Sequence, residues 1–398
     1  MSVQQVSSIA KAQTNRILSF DLIRGMFLLI MFIDHLEFSP TNYFDLFTGK
    51  GRLYVSAAEG FFFLSGLLVG IVYRRRIALG FKFIFKKMWQ RAFKLYILAV
   101  ATTLIFAFWA VMTNHQWIKY GLPNTVNWHS LILRTFGLQF VYGWADFLSR
   151  FAILMLIAPF VFYMVAKGKW WIMVTASVVA WILRGQNFIL GWQIIFNLGI
   201  LTGYYWNELQ IRAKNLQPKT KRIFKHSLYW LAGITFVFSY AGVYLLTYLN
   251  DVISNLPNWL VGLTHSWNTI NADIWIYAQK WTMGPIRIVL FFLWMTVLYL
   301  LVEKYKMAIA KHTKGVLELL GRNSLFVYIT HAFIVFGFYA LIVPPRTNLL
   351  QNFAITLLGI VTLISVTFIY KMFSSHFRAK VFINLRKTLN RSKLLFVN

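Results

Sequence analysis

The sequence predicts an all-α polytopic membrane protein with about ten transmembrane helices and both termini in the cytoplasm. Of its 398 residues, 59% are hydrophobic and only 13% are charged, which is more apolar surface than a soluble fold buries. Apolar runs recur from residue 17 to residue 373 without a long polar block between them. Most of the 40 Lys and Arg residues fall between these runs, in alternate loops. Together, these features predict one membrane domain.

A helix needs about 20 apolar residues to cross the hydrocarbon core, and about ten segments have roughly that length. They are Ile17–Phe38, Tyr54–Tyr73, Arg91–Met112, Asp146–Ala166, Trp170–Leu183, Gly191–Trp206, Ser227–Leu249, Pro285–Val302, Leu317–Ile342 and Leu350–Phe373. The fifth and sixth are short. The first run is too long for a cleavable signal peptide and carries charged residues, so we expect it to remain as the first span.

Loops rich in Lys and Arg resist translocation, so their positions orient the chain. With the amino end inside, the basic clusters at 74–94, 212–225, 304–322 and 371–393 all lie on the cytoplasmic side. Residues 1–16 then form a cytoplasmic amino-terminal tail, 17–373 the transmembrane domain, and 374–398 a basic cytoplasmic carboxy-terminal tail.

The net charge of +29 is spread over many loops instead of one surface, which argues against nucleic acid as a partner. Cysteine is absent, so disulfides, thiolate nucleophiles and thiolate metal sites are excluded, and we expect no metal. Membrane lipids are the partners that composition itself implies. The run Arg74, Arg75 and Arg76 could also attract an anionic cytosolic ligand, although topology and anionic lipid explain it as well.

The first span carries four ionisable groups, and such groups at membrane depth are functional candidates because each costs several kcal/mol unless it faces protein or water. Asp21 and Arg24 lie near its cytoplasmic end, and Asp34 and His35 near its outer end. Eleven helical steps return to within about 20° of the start, so Arg24 and His35 share one face about 16 Å apart. The pattern predicts a polar stripe connecting the two halves of the membrane.

The second span enters from the outside, which places Glu59 about as deep as His35. A carboxylate commonly orients a histidine base, so we expect the two to meet; a buried ion pair that only joins helices is the alternative. Ser65 lies further along the same span. Three glycines are expected to let the first two helices pack closely: Gly60, Gly66 and Gly70.

Polar residues recur in the ninth span, where Ser324, Tyr328 and His331 follow Asn323 at helical spacing. The last three lie on one face, so His331 could line the same cavity as His35, or serve only as a hydrogen-bonded packing residue.

In the sixth span, Trp192, Gln193 and Asn197 offer polar groups in the outer half of the membrane. Trp192 and Gln193 are candidate ligand-binding residues. Hydrogen bonding between helices explains the set equally well.

Two segments carry a family resemblance: Phe20–Gly25 with Ile33–His35, and Ala57–Gly66. They resemble the start of the OpgC family, succinyltransferases of osmoregulated periplasmic glucans, which looks like a branch of the acyltransferase-3 superfamily of membrane O-acyltransferases. The hallmark of that superfamily is an Arg, ten residues and a His in the first span, which Arg24 and His35 match. Leu320–Leu325 with Tyr328 and His331 looks like its later helix motif. This chain has Ser56 where the family tends to carry Asp.

The resemblance implies an acyltransferase of the bacterial inner membrane. Acyl-CoA would be the cytoplasmic co-substrate, with no tightly bound cofactor, and the acceptor would be a hydroxyl of an extracytoplasmic glycan. His35, Glu59 and Arg24 would be catalytic, and the acyl or acceptor groups would meet Asp34, Ser65 and the polar residues of the sixth and ninth spans. Ser65, Asn323 and Tyr328 are candidates to stabilise an oxyanion. Succinyl or acetyl transfer, and a monomer or homodimer, are left open.

Two other classes of function fit part of the pattern. A transporter or flippase could use the same buried charges as an ion or substrate pathway, but it predicts matched hydropathy repeats and Gly/Pro-broken helices, and the sequence shows no such symmetry. A membrane scaffold without activity gives no reason for titratable groups along one helix.

Overall fold

The computed structural model describes residues 17–36, 43–113, 122, 126–246, 257–341 and 348–394, which are almost entirely helical and contain no strand. We number the α-helices in chain order. They are α1 (Leu18–His35), α2 (Asp45–Thr48), α3 (Ala57–Arg74), α4 (Phe81–Thr113), α5 (Trp128–Phe136), α6 (Asp146–Ala166), α7 (Trp170–Ile182), α8 (Phe188–Tyr204), α9 (Trp206–Asn215), α10 (Pro218–Phe238), α11 (Asn258–Ala278), α12 (Pro285–His312), α13 (Val316–Arg322), α14 (Ser324–Leu341) and α15 (Leu349–Leu394). The all-α prediction is confirmed for these residues.

Five helices are long and apolar enough to cross a membrane: α3, α4, α6 with its preceding turn, α12 and the first part of α15. Two bent pairs raise the number to seven, because α8 and α9 meet at 67° and α13 and α14 at 99°. The shorter α7 is also apolar. The described residues thus contain five to seven candidate membrane-spanning helices by length and composition, while ten spans and two cytoplasmic termini stay predictions.

The most extensive helix contact in the core joins α3 and α8 through glycines on both helices. A Cβ on Gly66 would lie 2.1 Å from the Phe196 carbonyl oxygen, and one on Gly203 would lie 2.0 Å from the Leu67 carbonyl oxygen. Gly70 also faces α8, whereas Gly60 packs on the Phe27 ring of α1. The glycines of the second span therefore do allow close packing, but mainly with α8, where the sequence predicts α1.

The helix α1 is held along its inner half by the short helix α13. A Cβ on Gly25 would lie 1.9 Å from the Leu317 carbonyl oxygen, and one on Gly321 would lie 1.8 Å from the Asp21 carbonyl oxygen. The predicted ninth span is thus not one helix: it breaks at Asn323, whose side-chain amide donates to the Leu319 carbonyl (2.9 Å).

The structure describes the carboxy-terminal segment up to Leu394 but not the amino-terminal one. The predicted amino-terminal tail, residues 1–16, lies outside the described residues. At the other end, α15 continues past the predicted tenth span to Leu394. Most of the predicted basic tail is therefore helical.

Candidate active site

The carboxy-terminal end of α1, called the outer end after its predicted orientation, places His35 against His331 of α14. His35 Nδ1 lies 3.0 Å from His331 Nε2, and the rings stack with centroids 5.2 Å apart. Rings of Phe32 and Tyr328 contact His331 edge-on, and only 1% of His331 is exposed. At this distance one nitrogen donates and the other accepts, so each imidazole fixes the tautomer of the other.

The backbone of α14 completes the hydrogen bonding of this pair. His331 also bonds to the Tyr328 main chain. With His331 Nδ1 as the donor to that carbonyl, we assign His331 Nε2 as the acceptor from His35 Nδ1–H. His35 Nε2 is then left as a lone-pair nitrogen, the form that a general base requires.

The other predicted members of this patch lie in different environments. The Tyr328 hydroxyl donates to the Trp144 carbonyl (3.0 Å), and the Asn323 amide is used at the helix break. Ser324 begins α14. Tyr328 therefore positions His331 through its ring and backbone, and its hydroxyl is already committed as a donor.

Glu59 does not contact His35, so the expected carboxylate partner of the imidazole is a wrong prediction. Its Oε2 accepts from the Ser56 backbone N–H (3.0 Å) and Ser56 Oγ (2.5 Å), which closes a capping box at the start of α3. Its Oε1 pairs with Arg287 Nη1 at 2.5 Å, and both side chains are 0% exposed. This is the buried ion pair that the sequence left as the alternative, and His331 takes the place expected for Glu59.

Arg287 connects this ion pair to two loops of the outer half. Its Nε donates to the Ala278 carbonyl (2.8 Å) and its Nη2 to the Leu53 carbonyl (3.2 Å). The pair thus joins the segment before α3 to the end of α11. Its role in the structure is to position loops.

Asp34, next to His35 on α1, has a different set of neighbours from Glu59. Its carboxylate is hydrogen-bonded by the Thr48 side chain, while Oδ1 is buried without a hydrogen-bond partner among the residues that the structure describes. Lys280, from the turn between α11 and α12, interacts electrostatically with both Asp34 and His35.

Arg24 lies at the inner end of α1, where Nη2 contacts Asp21 Oδ1 (2.6 Å). Arg322 of α13 approaches the other oxygen of Asp21 at 3.7 Å. Between Arg24 and His35, the same face of α1 carries Leu28 and Met31, which are 1% and 6% exposed. The expected continuous polar stripe is therefore wrong, because buried apolar side chains separate its two ends.

The three arginines after the second span are in unlike environments. Arg74 Nη1 donates to Glu208 Oε2 (2.5 Å), and Arg74 also bonds the Tyr204 carbonyl. Arg75 is exposed and Arg76 is half-buried. Arg74 and Arg75 line a small cavity of about 220 Å³ beside α9. Because Arg74 is committed to Glu208, it is poorly placed to meet an anionic ligand.

The predicted residues of the sixth span join helices and loops. Trp192 Nε1 donates to the Lys280 carbonyl (3.1 Å). The Gln193 amide donates to the Ser177 carbonyl (2.7 Å), and the Asn197 amide to Ser177 Oγ (2.9 Å) and Gln193 Oε1 (2.7 Å). These bonds connect α7, α8 and the α11–α12 turn, as the helix-packing alternative predicts. Ser65 is buried within α3.

The sequence predictions did not include Lys280 or Arg287, although the position of each residue in the sequence marks it as unusual. Nearly all other basic clusters fall on the predicted inner side, so an isolated lysine in an outer loop departs from the positive-inside pattern. Arg287, near the start of the eighth predicted span, is an ionisable residue at membrane depth and has the same standing as Arg24.

The long apolar helices indicate a polytopic membrane protein, and its site is a pair of contacting imidazoles at the outer end of α1. A family model described as OpgC protein matches residues 16–375. The chain belongs to the OpgC family, as the motifs of its first two spans predict, and this membership indicates an acyltransferase-like role in glucan modification. Comparison with curated proteins and with solved structures finds no significant match.

Proposed function

We propose that the protein is a membrane O-acyltransferase, moving a succinyl or acetyl group from cytoplasmic acyl-CoA to a hydroxyl of an extracytoplasmic glycan in the bacterial inner membrane. The observation that carries the proposal is the His35–His331 contact of 3.0 Å. It leaves a basic nitrogen at the outer end of α1 in a chain of the OpgC family. Placement in the acyltransferase-3 superfamily is part of the same proposal.

His35 acts as the general base. Its Nε2 takes the proton as the acceptor oxygen attacks the thioester carbonyl carbon, and a tetrahedral intermediate forms. When the carbon–sulfur bond breaks, the thiolate of coenzyme A receives that proton, so the products are an ester and a free thiol. His331 accepts the hydrogen bond of His35 Nδ1–H throughout and stabilises the imidazolium. An acyl-His35 intermediate is the alternative route, with two transfers in place of one.

The donor approaches from the inner side. Arg75 and Arg76 are placed to meet its phosphates, and Arg24 to meet its arm or a succinyl carboxylate. Because Leu28 and Met31 separate Arg24 from His35, a thin flexible arm must displace them to present the thioester carbonyl. Both are unbranched at Cβ and change rotamer at low cost.

The test is transfer by the purified full chain, incubated with radiolabelled succinyl-CoA or acetyl-CoA and a periplasmic-type β-glucan. We expect labelled glucan and an equal amount of free thiol, and we expect His35→Ala to abolish both. His226→Ala is the matched control, since that histidine lies exposed on α10 and bonds only to the Arg222 carbonyl. Full transfer by His35→Ala would refute the assignment of the base.

A further inference from the structure

The turn between α11 and α12 holds Lys280 in a defined position beside the histidine pair. Its carbonyl accepts from Trp192 Nε1 (3.1 Å), and further along the turn the Met283 carbonyl accepts from Trp181 Nε1 (2.8 Å). Gly284 closes the turn by donating to the Gln279 carbonyl (2.9 Å). Two indoles from neighbouring helices thus fix the backbone from which the lysine extends.

The lysine side chain approaches Asp34 across Gly51. A Cβ on Gly51 would lie 3.6 Å from Asp34 Oδ2 and 3.9 Å from Lys280 Nζ. In the part of the chain that the structure describes, this ammonium is in no ion pair and Asp34 Oδ1 has no hydrogen-bond partner. A donor and an acceptor therefore flank one small space beside His35.

The charges around this space indicate the kind of ligand. Lys280 interacts with Asp34, His35 and Asp146, and Asp146 is paired with Arg150 at 2.8 Å. The remaining neighbours of Asp34 are a second pair, Asp45 with Lys50.

Among the residues named here, three carboxyl groups thus stand against three basic side chains, so neither sign of charge is in excess. A neutral ligand that both donates and accepts hydrogen bonds fits this space better than an anion does.

We propose that Asp34 and Lys280 form a hydroxyl-binding subsite for the sugar acceptor, in which one sugar hydroxyl donates to the Asp34 carboxylate and accepts from the Lys280 ammonium. A neighbouring hydroxyl of the same ring then lies at His35 Nε2. Each hydroxyl of a pyranose has this dual hydrogen-bonding capacity. The subsite rests on the proposed function for its purpose, but its ligand is defined by these two groups alone.

Binding without any acyl donor separates the subsite from the reaction. The detergent-solubilised full chain is titrated calorimetrically with a short linear β-glucan oligosaccharide. We expect Lys280→Met and Asp34→Asn to weaken binding roughly tenfold to a hundredfold, the effect of losing a charge-assisted hydrogen bond. Lys280→Arg, which keeps a cationic donor, should retain most of the affinity. Lys214→Met, an exposed lysine of α9, is the matched control.

Transfer kinetics give the second arm. In Lys280→Met the KM for glucan should rise by a similar factor, while the KM for acyl-CoA stays at the wild-type level. Unchanged glucan affinity in both Lys280→Met and Asp34→Asn would overturn the subsite, even with transfer intact. If the wild-type chain binds glucan in this Lys280-dependent way but transfers no acyl group, the subsite stands and the proposed reaction fails.

Discussion

The buried ion pair between Glu59 and Arg287 gives the sharpest test of how this structure is held together. Both side chains are fully buried, 2.5 Å apart, and the other two contacts of Arg287 are neutral carbonyls. Glu59→Gln keeps the shape of the side chain and an oxygen for the helix cap but removes the only counter-charge of the guanidinium among the residues described. Breaking a buried pair in this way costs about 3–5 kcal/mol.

The measurement is thermal unfolding of the purified protein in detergent, followed by intrinsic tryptophan fluorescence. We expect Glu59→Gln to lower the melting temperature by roughly 5 °C or more. Adding Arg287→Met to this variant removes the stranded charge and should recover part of the loss, since two carbonyls then lack a donor at about 1–3 kcal/mol each. The coupling energy from the four proteins measures the pair directly.

The result that would refute the reasoning is specific. If Glu59→Gln melts like the wild type yet loses all acyl transfer, Glu59 acts in the reaction and the assignment of a structural pair is wrong. Loss of stability together with partial activity after refolding at low temperature would support the structural role.

Three further changes test other parts of the site and the fold. His331→Asn removes the acceptor that orients the base, so kcat for acyl transfer should fall roughly tenfold to a hundredfold with the donor KM unchanged. An unchanged kcat would contradict the role of His331 in orienting His35. Arg75→Met should raise the KM for acyl-CoA severalfold, whereas Arg74→Met should leave it unchanged and cost at most about 1 kcal/mol, because its ion pair is only half-buried. Gly203→Ala forces two helix backbones apart and should lower the yield of monodisperse protein in size-exclusion chromatography, an overpacking cost of about 1–3 kcal/mol or more. Gly337→Ala, where a Cβ meets nothing within 4 Å, is its control.

Local geometry was predictable where one helix determines it. The eleven-residue spacing of Arg24 and His35 places them at the two ends of α1, and the apolar runs locate the long helices α3, α4, α6 and α12. The same spacing does not establish a continuous polar stripe. The residues between Arg24 and His35 on that face are the apolar Leu28 and Met31. A helical wheel of the first span shows this apolar interruption.

Contacts between distant segments were not predictable from periodicity. His35 meets His331, 296 positions away, only because the ninth apolar segment bends by 99° at Asn323. A hydropathy sum treats a bent and a straight segment alike, since both contain the same residues. The partner of Glu59 was equally hidden: depth in the membrane matched it to His35, whereas lateral packing placed it against Arg287.

The bent pair of α13 and α14 touches the first helix at both ends. Arg322, at the end of α13, approaches Asp21 near the amino-terminal end of α1, and His331, on α14, meets His35 at its carboxy-terminal end. Sliding or rotating α1 by even one residue would break both contacts together and push Gly25 into the Leu317 backbone. The first helix is therefore locked to the bent pair at two points, and it can shift only together with α13 and α14.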